Sequence, residues 1–412
     1  MPKIYRGWRI VFLAFLLQLL ATGPVYYAFG SYSLLFQENL GANRTEVNFA
    51  YSLLLFFGAV GAAPLGWALD RWPVKWIGTI GLALTASGLA LLTVASSITQ
   101  VMILFGLVIG IGDVMTNMVT TNFLVTRWFE RRRGLAIGLA MLGASVAAIV
   151  FPPLTPSLIN AFGWREMFFV YAAVTASAII PMWVLGRVPD EVPLEEQIAS
   201  AAGQPSETRE QRVQLGLRQI VSVSGFWIVS VSIGIMIGVT GATTITLVPY
   251  AVGKGFSEVS AATLISLLGM AAFAGKLVFG AVADRIDLRW ALRAALITMT
   301  ASCLLYVPAG SYTLLAAASI LFGLGVGGML PLWGVLVGRI FGSHNCGKAL
   351  GFTRAAMFPW TILCPMIAGL SFDWTQSYVF AWYFFGAVLM LCLVGTFLRP
   401  NWAQPIHKAE TV

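Results

Sequence analysis

Twelve long apolar segments, separated by shorter polar ones, follow one another along the chain. Each holds about 20 residues or more, and a helix of that length rising 1.5 Å per residue crosses a hydrocarbon core about 30 Å thick. Backbone groups in lipid must be paired internally, so each segment is predicted to be a helix. The predicted spans are 9–36, 46–69, 75–96, 101–126, 134–161, 165–187, 221–250, 259–282, 290–309, 313–338, 349–370 and 377–398.

The composition supports this interpretation, because 58% of the 412 residues are hydrophobic and only 10% are charged. Such values lie far outside those of soluble globular proteins. The predicted fold class is an all-α polytopic membrane protein. The first span follows a short basic stretch, but it is too long for a signal peptide and lacks a small-residue cleavage site.

The positions of the Lys and Arg residues predict the orientation in the membrane. The outer loops hold only Arg44, Arg165 and Lys254, and the opposite loops and both ends of the chain hold nearly all the other basic residues. Basic loops are retained in the cytoplasm, so both termini are predicted to be cytoplasmic. The predicted location is the plasma membrane, as a prokaryotic inner membrane. The net charge of +8 therefore reflects topology, and no nucleic-acid partner is expected.

A polar segment divides the chain into two halves, predicted as a six-helix bundle over 1–187, a cytoplasmic linker over 188–217 and a second six-helix bundle over 218–412. Gly66-Trp67-Ala68-Leu69-Asp70-Arg71, after the second span, recurs as Gly280-Ala281-Val282-Ala283-Asp284-Arg285 after the eighth. Arg127-Trp128-Phe129 recurs at nearly the same spacing as Arg339-Ile340-Phe341. Duplicated halves of this kind are typical of secondary transporters.

Two full positive charges, Lys276 and Arg354, lie well inside apolar spans. A Lys or Arg near the centre of a membrane helix costs about 2.5–3.5 kcal/mol on insertion scales, so such residues normally face a partner or an aqueous cavity. The alternative is that both side chains extend to the cytoplasmic headgroups. Their similar depth in separate helices favours a site for an anion.

Asp113 is the acidic side chain at membrane depth, with Asn117 one turn away on the same helix face. Three roles remain open for Asp113: a proton carrier, a counter-ion for Lys276 or Arg354, or a hydrogen-bonded group between helices. Two cations against one carboxylate leave a positive balance in either protonation state. An anionic substrate is therefore predicted.

Further candidates for the substrate site come from polar and aromatic side chains. Gln18, Thr22 and Tyr26 form a polar stripe along the first helix, with Tyr27 beside it. They are interpreted either as lining the cavity or as bonding between helices. Trp333 and Trp360 are predicted either to wall the site or to serve as ordinary packing.

The Gly-x-x-x-Asp-Arg sequence at Gly66 and its repeat at Gly280 resemble the signature of the major facilitator superfamily. Tyr5-Arg6-Gly7-Trp8 and the Trp128-Phe129-Glu130-Arg131-Arg132-Arg133-Gly134 loop resemble its branch of monocarboxylate transporters and oxalate/formate exchangers. The resemblance implies a carboxylate-binding role for Lys276 and a similar role for Arg354. This chain has Lys276 where the branch usually has Arg, and Ala272 where its proton-coupled members have Asp.

The two Asp-Arg pairs are predicted to act as a cytoplasmic gate rather than as binding groups, because they lie at the surface of the membrane. These residues are Asp70, Arg71, Asp284 and Arg285. An Asp beside the N-terminus of the next helix interacts with the helix dipole and with nearby Arg side chains, which would hold that face closed.

No Cys or His spacing typical of a metal site and no nucleophile-base-acid set is found in the sequence, so no metal, cofactor or enzymatic activity is predicted. The predicted function is alternating-access transport of a small carboxylate, such as proton-coupled transport of lactate or pyruvate, by a monomer in the lipid bilayer. One alternative is obligatory exchange of a dicarboxylate such as oxalate. Another, of a different class, is a carboxylate sensor that does not transport.

Overall fold

The structure, a computed structural model, describes residues 7–69, 71–129, 133–186, 216–283, 287–308, 310–399 and 402–404. The described residues form helices and no strands, and they include twelve helices long and apolar enough to cross a membrane. The prediction of an all-α polytopic protein is confirmed. The predicted boundaries differ by a few residues, because hydropathy ends at the lipid surface whereas a helix continues until a residue stops it.

The spanning helices are numbered α1 to α12 in chain order, and a short helix, Leu217–Ser222, precedes the seventh. The first six are α1 Gly7–Leu40, α2 Arg44–Leu69, α3 Val74–Leu92, α4 Ile98–Trp128, α5 Arg133–Phe162 and α6 Trp164–Leu185. The last six are α7 Ser224–Gly253, α8 Glu258–Ala283, α9 Leu288–Tyr306, α10 Tyr312–Gly342, α11 Lys348–Thr375 and α12 Val379–Leu398.

The chain divides into two compact units. The N-terminal unit comprises residues 1–42 and 49–209, and the C-terminal unit comprises residues 43–48 and 210–412. Residues 43–48 group with the C-terminal unit because Asp373, near the end of α11, accepts hydrogen bonds from the backbone N–H groups of Arg44 and Thr45, at 3.1 Å and 2.9 Å. The Thr45 hydroxyl donates to the same carboxylate. Asp373 therefore caps the first turn of α2.

Two helices of the N-terminal unit are irregular in their middles. In α1, Gly23–Tyr27 is a π-helical turn that contains Pro24, and the Tyr32 hydroxyl donates to the Pro24 carbonyl at 2.9 Å. In α4, Met102–Ile109 is π-helical, and Asn117 leaves the helical region with φ −84° and ψ −148°. Such turns often mark functional sites, and here both irregular helices supply polar side chains to the interior.

Glycines bring α8 and α10 into close contact in the C-terminal unit. A Cβ added at Gly327 would lie 2.5 Å from the Ala272 carbonyl oxygen and 2.6 Å from the Lys276 nitrogen. A Cβ at Gly275, on the facing helix, would lie 2.6 Å from the Leu324 carbonyl oxygen. Small residues let membrane helices approach to backbone contact, so this packing fixes the part of α8 that carries Lys276.

A glycine also separates α10 from α11. Gly342 has φ 76° and ψ 162°, a conformation that side chains with a Cβ rarely adopt. It interrupts an otherwise continuous run of helical residues and begins the connection to the helix that carries Arg354.

Candidate functional site

The N-terminal unit holds a buried polar cluster centred on Asp113, which is 3% exposed. The Tyr26 hydroxyl donates to Asp113 Oδ2 at 2.6 Å, and Asn117 Nδ2 donates to Asp113 Oδ1 at 3.0 Å. Each carboxylate oxygen therefore accepts one hydrogen bond. The structure brings Tyr26 of α1 to Asp113 and Asn117, which the sequence had already placed on one face of the fourth helix.

The irregular backbone explains how the cluster forms. Tyr26 lies in the π-helical turn of α1, which shifts its position on the helix surface relative to a regular helix. Asn117 lies at the break in α4, where its N–H still donates to the Asp113 carbonyl at 2.8 Å before the helix restarts at Met118. The break leaves the Asn117 amide one turn from the carboxylate that it contacts.

The rest of the polar stripe on α1 bonds to its neighbours. Gln18 Nε2 donates to Thr121 Oγ1 of α4 at 3.0 Å, and the Thr22 hydroxyl donates to Gln18 Oε1 at 3.5 Å. Both side chains are buried. Gln18 therefore forms a hydrogen bond between two helices, and Thr22 forms one within its own helix. Tyr27 is half-buried beside Tyr26.

Lys276 and Arg354 both belong to the C-terminal unit. Lys276 is half-buried on α8, seven positions before the helix ends at Ala283, or roughly 10 Å along the axis at 1.5 Å per residue. Arg354 is exposed on α11, six positions after that helix begins. Each cation therefore lies about two helical turns inside its helix of the C-terminal unit.

The two predicted tryptophans lie in different surroundings. Trp333 Nε1 of α10 donates at 3.0 Å to the hydroxyl of Thr353, which is buried and directly precedes Arg354. Trp360, in contrast, packs against Gly234 and Gly238 of α7. Six helical positions separate Trp360 from Arg354, which turns the two side chains about 120° apart around α11. Trp333 thus contacts the residue directly before Arg354, whereas Trp360 contacts α7.

Most of the predicted gate lies outside the described residues. Asp70, Asp284 and Arg285 belong to positions that the structure does not describe. Arg71 is described: it is exposed, and its guanidinium stacks 4.0 Å from the centre of the Trp67 ring.

Asp287, two residues after the second Asp-Arg pair, was not predicted from the sequence. Asp287 caps α9 by accepting from the Arg289 N–H at 3.0 Å, and Arg339 of α10 approaches its carboxylate at 3.9 Å. The Arg289 side chain, which donates to Asp287 Oδ2 at 2.9 Å and 2.5 Å, lowers the pKa of Asp287 to about 2. The available signal was an Asp directly before an amphipathic helix, which is a common N-terminal cap.

No cluster of His, Cys, Asp and Glu that would hold a metal ion is found among the described residues. The twelve helices, with polar and charged side chains inside them, are typical of a membrane transporter. The family comparison agrees: the chain matches the Major Facilitator Superfamily over residues 12–286 and 264–410, and it belongs to that superfamily.

Curated relatives of this chain include monocarboxylate transporters. It is 25% identical to Monocarboxylate transporter 12 of Xenopus laevis over 94% of this chain and 87% of the relative. It is 24% identical to Monocarboxylate transporter 4 of Gallus gallus over 98% of this chain and 85% of the relative. A crystal structure of a POT family transporter in complex with 5-aminolevulinic acid superposes with a TM-score of 0.76 at 12% identity, covering 96% of each chain. At this low identity, the superposition shows only that the two chains share a fold.

Proposed function

We propose that this protein transports small organic monocarboxylates together with protons by alternating access. The observation that carries the proposal is the pair of cations, Lys276 and Arg354, each about two turns inside a spanning helix of the C-terminal unit. Relatives named monocarboxylate transporters over nearly the whole chain support the substrate class. Both termini are proposed to face the cytoplasm of a prokaryotic cell.

The substrate carboxylate is proposed to bind Lys276 and Arg354. Removing a cation from water is unfavourable unless an opposite charge or hydrogen-bond acceptors replace the water. A bound carboxylate adds an opposite charge and acceptor oxygens beside both side chains. Lys276 contributes a point charge with three donors, whereas the Arg354 guanidinium is suited to bidentate contact with a carboxylate. The empty and loaded carrier then differ in charge, which makes substrate binding the trigger for the conformational change.

Asp113 is proposed to carry the coupled proton. Within the described part of the N-terminal unit, no Lys or Arg forms a salt bridge with this buried carboxylate. Its two oxygens accept hydrogen bonds from the uncharged Tyr26 and Asn117 side chains. Binding a proton removes the buried charge, and the Tyr26 hydroxyl is able to rotate and accept a hydrogen bond instead of donating one. The cluster therefore provides hydrogen bonds for both protonation states.

Radiolabelled uptake into proteoliposomes tests this function. A panel of acids, including lactate, pyruvate and oxalate, is offered under an inward proton gradient to empty vesicles and, separately, at equal pH to vesicles that contain unlabelled acid. Proton-driven uptake of a monocarboxylate into empty vesicles is the expected result. Uptake only against internal acid would replace the proposal with obligatory exchange, and binding without uptake would indicate a sensor.

A further inference from the structure

A groove runs along the C-terminal unit between α7 and α12, and Trp360 of α11 forms part of its wall. Two hollows of about 470 Å³ and about 370 Å³ share Trp227, Ile228 and Gly395 in their walls, so they form one continuous depression. The groove is open at Gly395, where an added Cβ would meet no atom within 4 Å. The α7 residues that line it extend from Ser224 to Ile235, which corresponds to about 16 Å at 1.5 Å per residue. This length is close to half of a hydrocarbon core about 30 Å thick, or one leaflet.

The groove is apolar along its length and polar at one end. Its deeper part is lined by residues that include Val231, Ile235, Val388 and Leu391. Its other end, where α7 begins and α12 stops, is lined by Ser222, Ser224 and Arg399. An apolar slot with hydroxyl groups and a cation at its mouth is complementary to an amphipathic anion.

Local contacts hold the walls of the polar end in place. The Trp227 indole donates to the Val221 carbonyl at 2.9 Å, which fixes this half-exposed ring as one wall. The backbone N–H of Trp402 donates to the Arg399 carbonyl at 3.2 Å. Trp402 is buried, and its own backbone carbonyl lies against Gly225 of α7. The backbone that carries Arg399 is therefore anchored to the start of α7.

Arg399 is available to an external anion. Its side chain is exposed, and no salt bridge joins it to a carboxylate in the part of the chain that the structure describes. On the orientation that the basic loops predict, this end of the groove faces the cytoplasmic leaflet, which carries anionic lipids.

We propose that this groove binds one anionic phospholipid, with an acyl chain lying between α7 and α12 and the phosphodiester at Arg399. The acyl chain fills the apolar part of the groove, and the Ser222 and Ser224 hydroxyls lie at headgroup level. A single Arg near an anionic membrane surface contributes about 1 kcal/mol to the binding free energy. We therefore expect about fivefold tighter binding of phosphatidylglycerol than of phosphatidylcholine.

Photolabelling of the full chain in nanodiscs tests the proposal. The probes are phosphatidylglycerol and phosphatidylcholine with the same diazirine-bearing acyl chain, and labelled peptides are mapped by mass spectrometry. Labelling concentrated on residues 224–235 and 388–395 is expected, at about fivefold higher yield for phosphatidylglycerol. Arg399→Gln is expected to remove the preference while keeping the labelled positions. Gly395→Trp is expected to fill the groove and remove the labelling there.

Matched variants separate the groove from the general lipid surface. Arg9→Gln removes an exposed cation from α1, and Gly138→Trp adds an indole at an exposed glycine of α5 that likewise has open space around it. Both are expected to leave groove labelling and lipid preference unchanged. Even labelling of all lipid-facing residues, or a preference that survives Arg399→Gln, would overturn the proposal. Neither readout depends on transport, so the outcome is independent of the proposed substrate.

Discussion

At the scale of single residues, the protonation of one buried carboxylate is the step on which the proposed coupling depends. Asp113 accepts one hydrogen bond on each oxygen, and both donors, Tyr26 and Asn117, are uncharged. Uncharged donors hold an ionised carboxylate less strongly than a guanidinium would. The cluster is therefore suited to bind and release a proton during the transport cycle.

Asp113→Asn is expected to abolish proton-driven uptake and to preserve exchange of labelled against unlabelled acid at equal pH. Asn has the shape of a protonated Asp, so it mimics the loaded form and does not release a proton. The measurement is lactate flux in proteoliposomes under the two conditions.

Thr116→Ser serves as the control for Asp113→Asn, because Thr116 is also buried in α4 and bonds only to backbone carbonyls. It is expected to retain both fluxes. Full proton-driven uptake by Asp113→Asn would rule out Asp113 as the proton carrier.

At the scale of helices, the contact between α8 and α10 fixes the backbone around Lys276. Gly327→Ala is expected to destabilise the protein, because the new methyl group would collide with the Ala272 carbonyl and the Lys276 nitrogen of the facing backbone. Overpacking of this kind typically costs about 1–3 kcal/mol. The melting temperature of the purified protein is expected to fall, and thermal unfolding in detergent measures it.

Gly334→Ala is the matched change in α10, since a Cβ there would meet nothing within 4 Å. It is expected to leave the melting temperature unchanged or slightly raised, because Ala favours helix more than Gly does. Equal effects of the two substitutions would contradict the packing explanation.

The cap on α2 gives a second test at this scale. Asp373→Ala removes the acceptor for the Arg44 and Thr45 N–H groups and is expected to reduce stability by about 1.5–3 kcal/mol, the usual contribution of a hydrogen bond to a charged group. Thermal unfolding of Asp373→Ala beside Glu38→Ala, an exposed acid at the end of α1, measures the difference. A fall no larger than that of Glu38→Ala would show that the cap contributes nothing.

Hydropathy predicted the twelve helices because each crosses the whole hydrocarbon core, but it did not predict their irregular turns. The π-helical turn at Gly23–Tyr27 contains Tyr26, which contacts Asp113, whereas the i, i+4 spacing of Asp113 and Asn117 had already placed those two side chains on one helix face. Only Pro24 signalled the π-helical turn, and nothing local signalled the break at Asn117. Trp360 shows the same limit, because its neighbours on α7 depend on packing between helices distant in sequence.

At the scale of the whole molecule, charge is distributed unequally between the two units. The C-terminal unit carries Lys276 and Arg354 inside its spans, and the N-terminal unit carries Asp113. In the proposed cycle, the substrate binds Lys276 and Arg354, and the proton binds Asp113. Their coupling is a free energy that a double-mutant cycle of Lys276→Gln and Asp113→Asn measures in flux.

The most direct test of the account is lactate uptake driven by an inward proton gradient, compared between wild type, Lys276→Gln and Lys254→Gln. Lys254 is a matched control, since it is an exposed Lys of the same unit that follows α7 and contacts the Tyr250 ring. Loss of uptake is expected in Lys276→Gln, with wild-type uptake in Lys254→Gln and normal melting temperatures in both. Wild-type uptake by Lys276→Gln would contradict the assignment of Lys276 as the carboxylate-binding cation.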